Sequence, residues 1–169
     1  KSRGCADGRR QRLWTEKQEV SSPTPAVEAL KYILSIISLE GRDVASFDLP
    51  AQFLQTDMDE LLHLKVSGAL ALLLVESDPD RWKKHLRREN GKPVIYLICN
   101  KAIYGTLNAA ILAYKRLTGY FKEWGFEMNP YDPCVWNKVI DDLQMTVVLH
   151  VDDGLASHKN TVRVTEFLS

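Results

Sequence analysis

Cysteine is scarce in this sequence, and long apolar runs are missing. The 169 residues include only Cys5, Cys99 and Cys134, an odd number that contains no CxxC pair. Paired-cysteine zinc sites and a disulfide framework are therefore not indicated, and we expect a reducing, intracellular setting. The most apolar stretch, residues 68–75, is far too short to cross a bilayer, so we expect no membrane association.

Net charge is also absent, because 22 Lys and Arg residues balance 22 Asp and Glu residues. The chain as a whole gives no sign of nucleic-acid binding, although basic residues cluster within 1–17 and 81–92. Such clusters are commonly solvated faces, but they also suit a nucleic-acid backbone or a triphosphate. An apolar share of 45% in a chain of this length predicts one domain with a real core.

The stretch 146–157 carries the candidate chemistry. Apolar residues on either side of Asp152, Asp153 and Gly154 predict a β-hairpin, because glycine accepts a positive φ without steric cost. We therefore expect Asp152 and Asp153 at the hairpin tip, held out of the sheet by buried strands. An ordinary solvated turn is the alternative for an Asp-Asp-Gly step taken alone.

A third acid, Asp48, ends another predicted strand over residues 43–47. Pro50 has no N–H for a sheet, so the chain must leave the sheet there and expose the Asp48 carboxylate at its edge. One acid from a strand and a pair from a hairpin suit a divalent-cation site for phosphoryl transfer. Three neighbouring carboxylates repel one another, so their convergence implies a cation, with Mg²⁺ expected and Mn²⁺ as the alternative.

The remaining pattern predicts an α+β fold with an antiparallel sheet and packed helices. One helix is capped by Thr24 and ended by Gly41, and a second helix over 109–124 is ended by Gly125. Turns at Asn90-Gly91 and Asp141-Asp142 lead from strand to strand. The other predicted elements are strands over 61–66, 94–98, 134–139, 144–151 and 154–157, a buried helical segment over 70–75, a short helix bearing Trp82 and a last helix from Lys159. The strands over 134–139, 144–151 and 154–157 are expected to form a three-stranded sheet.

Five stretches together resemble the reverse transcriptase domain of copia-type retrotransposons. They occur in that family's order with similar spacings and cover nearly the whole chain. The resemblance implies a partial right-hand polymerase, with residues 1–42 as a fingers-like segment and supporting helix. Residues 43–169 would be mostly palm with a fingers-like insertion, and the thumb and RNase H domains are expected to be absent. The five stretches are Ser22-Pro23, Asp48-Leu-Pro-Ala-Gln-Phe-Leu54, Asn100-Lys-Ala-Ile-Tyr-Gly105, Tyr131-Asp-Pro-Cys134 and His150-Val-Asp-Asp153.

The resemblance further implies an RNA-directed DNA polymerase that transfers a dNTP to a primer 3′-OH. Asp48 and Asp152 would bridge two Mg²⁺ ions, with the Leu49 carbonyl as a further ligand and Asp153 as a secondary one. The residues implied to contact substrate are Phe53, Gly105, His150, Lys1 and Arg3. Phe53 would exclude a ribose 2′-OH and so favour dNTPs; the alternative is that Phe53 is a core aromatic on a helix.

The implied partners are an RNA or DNA template with its primer, dNTPs and the remainder of a Pol polyprotein. The sequence does not begin with Met, contains no signal peptide and stops inside the last predicted helix. We therefore expect a piece of a longer polyprotein, located in a cytoplasmic particle or the nucleus.

Several positions depart from the family pattern. Leu107 and Asn108 stand where the family has lysine and glutamine, and His150 stands where it commonly has an aromatic such as tyrosine. The later Pro-Arg and Trp are replaced by Ala110, Ile111 and Ala113. These changes keep open a catalytically inactive retroelement remnant that acts at most as a nucleic-acid-binding module. A different palm-fold nucleotidyl transferase or cyclase would fit the acids but not the other stretches.

Overall fold

A computed structural model describes residues 4–13 and 21–169 of the chain. Lys1 and Arg3, two of the residues expected to contact substrate, lie outside the described residues. The helices are α1 (Val27–Glu40), α2 (Gln52–Gln55), α3 (Ala69–Ser77), α4 (Pro79–Trp82), α5 (Ala109–Glu123) and α6 (Thr161–Leu168), with 3-10 helices at Gly8–Leu13 and Lys83–His85. The strands are β1 (Asp43–Asp48), β2 (His63–Ser67), β3 (Arg87–Glu89), β4 (Lys92–Ile98), β5 (Glu127–Met128), β6 (Val135–Ile140), β7 (Leu143–His150) and β8 (Asp153–His158). The mixture of helices and antiparallel sheets confirms the α+β class.

The larger sheet has five antiparallel strands in the order β1-β8-β7-β6-β5. The expected antiparallel pairing of the three strands β6, β7 and β8 is confirmed, but the sheet is larger than expected, because β1 pairs with β8 along its whole length and β5 adds to the other edge. The turn at Asp141-Asp142 between β6 and β7 is confirmed, with φ values of 51° and 61°. Such positive values match the right-handed twist of the strands that a two-residue turn joins.

Alternating side chains of the larger sheet build two apolar layers. One face carries Trp136, Met145, Val147 and Ala156, which pack with Phe121 of α5 and Phe167 of α6. The opposite face carries Val135 and Val148, which pack against Ile33 and Ile37 of α1. The sheet therefore lies between helices on both faces, and burial on both faces holds its register in place.

Helix α1 begins later than its predicted cap. Its N-cap residue is Ala26, which makes no side-chain cap, and Thr24 lies before the helix. The backbone N–H of Ala26 instead donates to the Asp132 carboxylate at 2.8 Å. Thr24 was therefore wrongly expected to cap, because a carboxylate from a distant loop takes that role. Gly41 ends the helix with a φ of 61°, as expected.

The smaller sheet has the strand order β2-β4-β3 and carries α3 beside it. The turn at Asn90-Gly91 is confirmed between β3 and β4. The expectation of a buried segment over 70–75 was wrong, because Leu70 is 65% exposed and Ala71 is the buried residue of α3. A three-stranded sheet covers only one side of this helix. No helix in the described parts of the chain is long and apolar enough to cross a membrane.

Candidate active site

The hairpin formed by β7 and β8 presents the candidate acids. Its loop consists of Val151 and Asp152, and Asp153 is the first residue of β8, opposite His150. The turn therefore lies earlier than an Asp-Gly turn would place it, since the residue with positive φ is Val151 and not Gly154. Asp152 lies in the loop, whereas Asp153 is already paired in the sheet.

Gly154 is needed for packing and not for the turn. A Cβ atom at this position would lie 2.1 Å from the Phe47 ring, far inside van der Waals contact. Phe47 is the residue of β1 directly opposite Gly154, and it packs in the apolar layer below α5 and α6. The absence of a side chain at Gly154 thus lets the ring cover the hairpin beside the acids.

Val151 has an unfavourable backbone conformation at the hairpin tip. Its φ is 55°, in the left-handed region that β-branched residues rarely occupy. Strain of this kind costs on the order of 1 kcal/mol or more, and it persists only where surrounding structure holds it. Here the flanking strands fix both ends of the loop, so the strained residue keeps Asp152 at the tip.

Strand β1 brings Asp48 to the hairpin. Asp48 lies directly opposite Asp153 in the antiparallel ladder, and the backbone N–H of Leu49 donates to the carbonyl of Asp152 at 2.8 Å. Directly opposed residues of neighbouring strands carry their side chains on the same face of the sheet. The carboxylates of Asp48 and Asp153 therefore share a face, and His150, the other partner of Asp153, shares it too.

Asp152 has one carboxylate oxygen in a hydrogen bond and one without a partner. The Tyr104 hydroxyl donates to Asp152 Oδ2 at 3.2 Å. Asp152 Oδ1 is buried and accepts no hydrogen bond from any residue of 4–13 or 21–169. A buried carboxylate oxygen without a donor is costly, so this atom is suited to a ligand that supplies positive charge.

The three acids do not form a closed metal cage. Among residues 4–13 and 21–169, no three acidic, histidine or cysteine side chains come close enough together to hold a metal ion. Magnesium, however, is usually held by one or two carboxylates together with substrate phosphates and water. The unpartnered oxygen of Asp152 and the neighbouring Asp48 and Asp153 therefore fit such an ion by donor type.

The other residues expected at the site lie nearby in different settings. Phe53 is 8% exposed and packs in an apolar cluster with its ring 4.5 Å from that of Tyr104. The Leu49 carbonyl accepts from the backbone N–H of Gln52 at 3.3 Å. His150 is exposed at the end of β7. The roles in sugar recognition, metal binding and primer contact that the sequence suggested for these residues stay predictions.

Gly105 is required by a contact within the chain. Its φ is 91°, and a Cβ atom there would lie 2.0 Å from the carbonyl oxygen of Ala6. The backbone N–H of Ala6 also donates to the carbonyl of Tyr104 at 2.7 Å. The backbone that approaches Gly105 in the structure is therefore that of residue 6, while its approach to a substrate stays a prediction.

All five sequence stretches singled out above meet around the hairpin. Ser22, Pro23, Phe53, Cys134 and Val151 line one small cavity. The fourth stretch also reaches β7 through its backbone, because the N–H of Leu149 donates to the carbonyl of Cys134 at 2.8 Å. The remaining stretch, which ends at Gly105, contacts the hairpin through the hydrogen bond from the Tyr104 hydroxyl to Asp152. Residues far apart in sequence thus meet beside the hairpin that carries Asp152 and Asp153.

Sequence reasoning missed Tyr104 as a neighbour of the acids. Tyr104 lies inside the stretch from Asn100 to Gly105, but within that stretch only Gly105 was expected to contact substrate. No local pattern indicates where a tyrosine hydroxyl points, since that depends on how the ring packs. A tyrosine immediately before a glycine, in a stretch expected near the substrate, was the available signal.

Two comparisons found known proteins to which this chain is similar. A family model described as reverse transcriptase (RNA-dependent DNA polymerase) matches residues 1–169. The chain is also similar to a protein of Nicotiana tabacum named retrovirus-related Pol polyprotein from transposon TNT 1-94, with 23% identity over 163 residues. This match covers 95% of the chain but only 11% of the tobacco protein. No solved structure matches the chain.

Proposed function

Because the chain belongs to the reverse transcriptase (RNA-dependent DNA polymerase) family, we propose that it is the fingers and palm part of an RNA-directed DNA polymerase. Its copia-type character is shown by the family match and the Pol polyprotein relative. The proposed reaction is transfer of a dNTP to the 3′-OH of a primer on an RNA or DNA template. Residues 1–42 would be the fingers-like part with its supporting helix, and residues 43–169 mostly palm.

The observation that supports this function best is the convergence of Asp48 with the hairpin acids. Asp48 and Asp153 are paired residues of adjacent strands, and the backbone of Leu49 is bonded to that of Asp152. Two segments far apart in sequence therefore place three carboxylates at one end of the sheet. Like charges directly opposite each other in a ladder are destabilising, and a bound cation would offset the repulsion between Asp48 and Asp153.

Asp48 and Asp152 would hold two Mg²⁺ ions, with Asp153 and the Leu49 carbonyl as further oxygen ligands. When bound, the ions would lower the pKa of the primer hydroxyl and neutralise the charge that develops on the phosphates. The chain itself contributes position. Pairing in the sheet fixes Asp48 and Asp153, and the strained loop fixes Asp152. Such prior ordering is what phosphoryl transfer chiefly requires of a protein.

Substrate selection would involve the apolar surface next to the acids. Phe53 lies in α2, shortly after Asp48 at the end of β1, and its ring contacts that of Tyr104. An aromatic ring near the sugar would favour dNTPs over NTPs by excluding the 2′-OH. In this proposal Phe53 acts on the sugar while it also packs in the apolar cluster with Tyr104.

Single-nucleotide incorporation tests the proposal without requiring processive synthesis. In the Asp152→Asn variant we expect Mg²⁺-dependent addition of one dNTP to a primer on an RNA template to be lost. The matched control is Asp142→Asn, which makes the same change in the Asp-Asp turn at the other end of β7. Circular dichroism of both variants reports the fold. Incorporation retained in Asp152→Asn would reject the assignment of the acids.

An inactive remnant that only binds nucleic acid is the second candidate. It is favoured by the absence, within residues 4–13 and 21–169, of three side chains already close enough to hold a metal ion. Calorimetric titration with Mg²⁺ or Mn²⁺, with and without primer–template, separates the two candidates. Cation binding that depends on Asp152 supports the polymerase, whereas nucleic-acid binding without cation binding supports the remnant.

A further inference from the structure

We propose that Tyr104 is a positioning residue that orients the Asp152 carboxylate for cation binding. The inference rests on the proposed function, in which Asp152 is a cation ligand. The Tyr104 hydroxyl donates to Asp152 Oδ2 at 3.2 Å, while Asp152 Oδ1 is buried and has no hydrogen-bond partner in the part of the chain that the structure describes. One oxygen is therefore held by the protein, and the other is left for the ion.

The donor at Asp152 is neutral, and this is what the role requires. A Lys or Arg partner would neutralise the carboxylate and compete with a divalent cation for it. None of the ion pairs formed in the described part of the chain involves Asp48, Asp152 or Asp153. A phenol hydroxyl fixes the carboxylate's orientation and leaves its full negative charge. Residues that orient metal ligands in this way typically affect metal affinity by about 10–100-fold.

Tyr104 is itself held on two sides. Its ring lies 4.5 Å from the Phe53 ring within the apolar cluster that also contains Ala102 and Ala109. Its carbonyl accepts from the N–H of Ala6 at 2.7 Å, and the next residue has no room for a side chain beside Ala6. Since ring and backbone are both fixed, little freedom is lost when the hydroxyl holds the carboxylate.

This arrangement connects the segment around residue 6 with the acids. The backbone of Ala6 contacts Tyr104 and Gly105, and Tyr104 contacts Asp152. The hairpin loop is therefore in contact with a tyrosine that is itself held by a segment 98 residues earlier in the sequence. Because Tyr104 acts through Asp152, its loss should change the cation concentration that the reaction requires.

The test removes the hydroxyl and keeps the ring. Mn²⁺ binding to the chain without nucleic acid is measured by calorimetry for the wild type, Tyr104→Phe, Tyr96→Phe and Asp152→Asn. Tyr96→Phe is the matched control, because it removes a hydroxyl that donates to Glu89 at 2.7 Å on the smaller sheet. We expect Tyr104→Phe to weaken Mn²⁺ binding about tenfold or more. Tyr96→Phe should leave it unchanged.

A second readout separates positioning from general damage. In single-nucleotide incorporation, Tyr104→Phe should raise the Mg²⁺ concentration for half-maximal rate about tenfold, with the rate recovering at saturating Mg²⁺. Thermal unfolding in EDTA reports any loss of fold independently. A merely structural role would lower the rate at every Mg²⁺ concentration.

The outcomes distinguish this inference from the proposed function. If the wild type binds Mn²⁺ through Asp152 and Tyr104→Phe binds it equally well, the role of Tyr104 is overturned and the polymerase assignment stands. If the wild type and Asp152→Asn bind Mn²⁺ alike, or if neither binds it even when primer–template is present, both are overturned. Weakened binding confined to Tyr104→Phe and Asp152→Asn supports both.

Discussion

At the scale of single residues, Asp132 connects two elements that are far apart in sequence. Its side chain is buried, with Oδ2 accepting from the N–H of Ala26 at 2.8 Å and Oδ1 accepting from that of Cys134 at 2.9 Å. The first bond holds the N-cap residue of α1, and the second holds the residue that precedes β6. A negative charge at a helix N-terminus is also favoured by the helix dipole.

We expect Asp132→Ala to lower the free energy of unfolding by about 3 kcal/mol, because two N–H donors lose a charged acceptor. Urea unfolding followed by circular dichroism measures this change. The control is Asp59→Ala, an exposed acid in the loop before β2, for which we expect a change within about 0.5 kcal/mol. Similar losses in both variants would mean that Asp132 does not stabilise α1.

The three cysteines should differ sharply in reactivity. Burial raises the pKa of the Cys99 thiol, and burial together with the negative charge of Asp132 raises the pKa of Cys134 to about 11. Cys5 is exposed. At pH 8 we expect one thiol to react rapidly with a disulfide reagent and two to react only after unfolding in urea, as measured by absorbance.

The raised pKa of Cys134 predicts that the free energy of unfolding falls as the pH rises above 9. The ordinary pKa of a cysteine is 9.0, below the value of about 11 for Cys134 in the folded chain. Above pH 9 the unfolded chain loses this proton first, so the contribution of the neutral thiol declines as pH rises towards 11. Rapid modification of all three thiols in the folded chain would contradict both expectations.

At the scale of elements, the β7–β8 hairpin maintains a strained tip. Val151 has a φ of 55° and is 38% exposed, so its side chain gains little from burial. Asparagine tolerates this backbone region far better than valine. We expect Val151→Asn to raise the free energy of unfolding by ~1 kcal/mol, measured in urea.

The matched control for this change lies in β1. Val44 is 39% exposed, close to the exposure of Val151, but occupies an extended strand. Because valine is favoured and asparagine disfavoured in strands, Val44→Asn should be destabilising. If Val151→Asn destabilises the chain as much as Val44→Asn does, the strain at the hairpin tip is refuted.

Local sequence patterns predicted most helices, strands and turns, and the predictions that were wrong have physical reasons. Asn90-Gly91 and Asp141-Asp142 were placed correctly because a two-residue hairpin turn depends on residues that accept positive φ. The hairpin tip was expected at Asp152-Asp153 but lies at Val151-Asp152, because Gly154 is needed beside the Phe47 ring and not for a positive φ. Apolar residues 70–75 were expected to be buried, but burial depends on whether another element is present to cover them.

At the scale of the whole molecule, the candidate site depends on pairing that local sequence does not specify. Asp48, Asp152 and Asp153 could be proposed from residue type and from the resemblance of five stretches to a family. The pairing of Asp48 with Asp153 joins segments that local rules treat separately. The bond from Tyr104 to Asp152 depends further on packing against Phe53 and residue 6, so only the folded chain reveals it.

The basic residues of 81–92 lie on α4, the following 3-10 helix and the smaller sheet. The side chains of Arg81, Lys83, Lys84, Arg87, Arg88 and Lys92 are exposed. Glu89, the one acid within residues 81–92, accepts from Lys65 and from the Tyr96 hydroxyl. The hydrogen bond from Lys65 also keeps the pKa of Glu89 low. This acid is therefore engaged by Lys65, and the cluster keeps its positive character.

Nucleic-acid binding should reveal whether this cluster is a contact surface or a solvated face. Each phosphate contact that a lysine makes contributes about one unit to the slope of log K against log salt concentration. If the cluster contacts the template or primer backbone, the double variant Lys83→Gln/Lys84→Gln should reduce that slope by about two, measured by fluorescence anisotropy between low and physiological salt. The control is Lys115→Gln/Lys122→Gln, which removes the same charge from exposed positions on α5. An equal effect of both pairs would indicate a general charge effect, and an unchanged slope in both would identify the cluster as a solvated face.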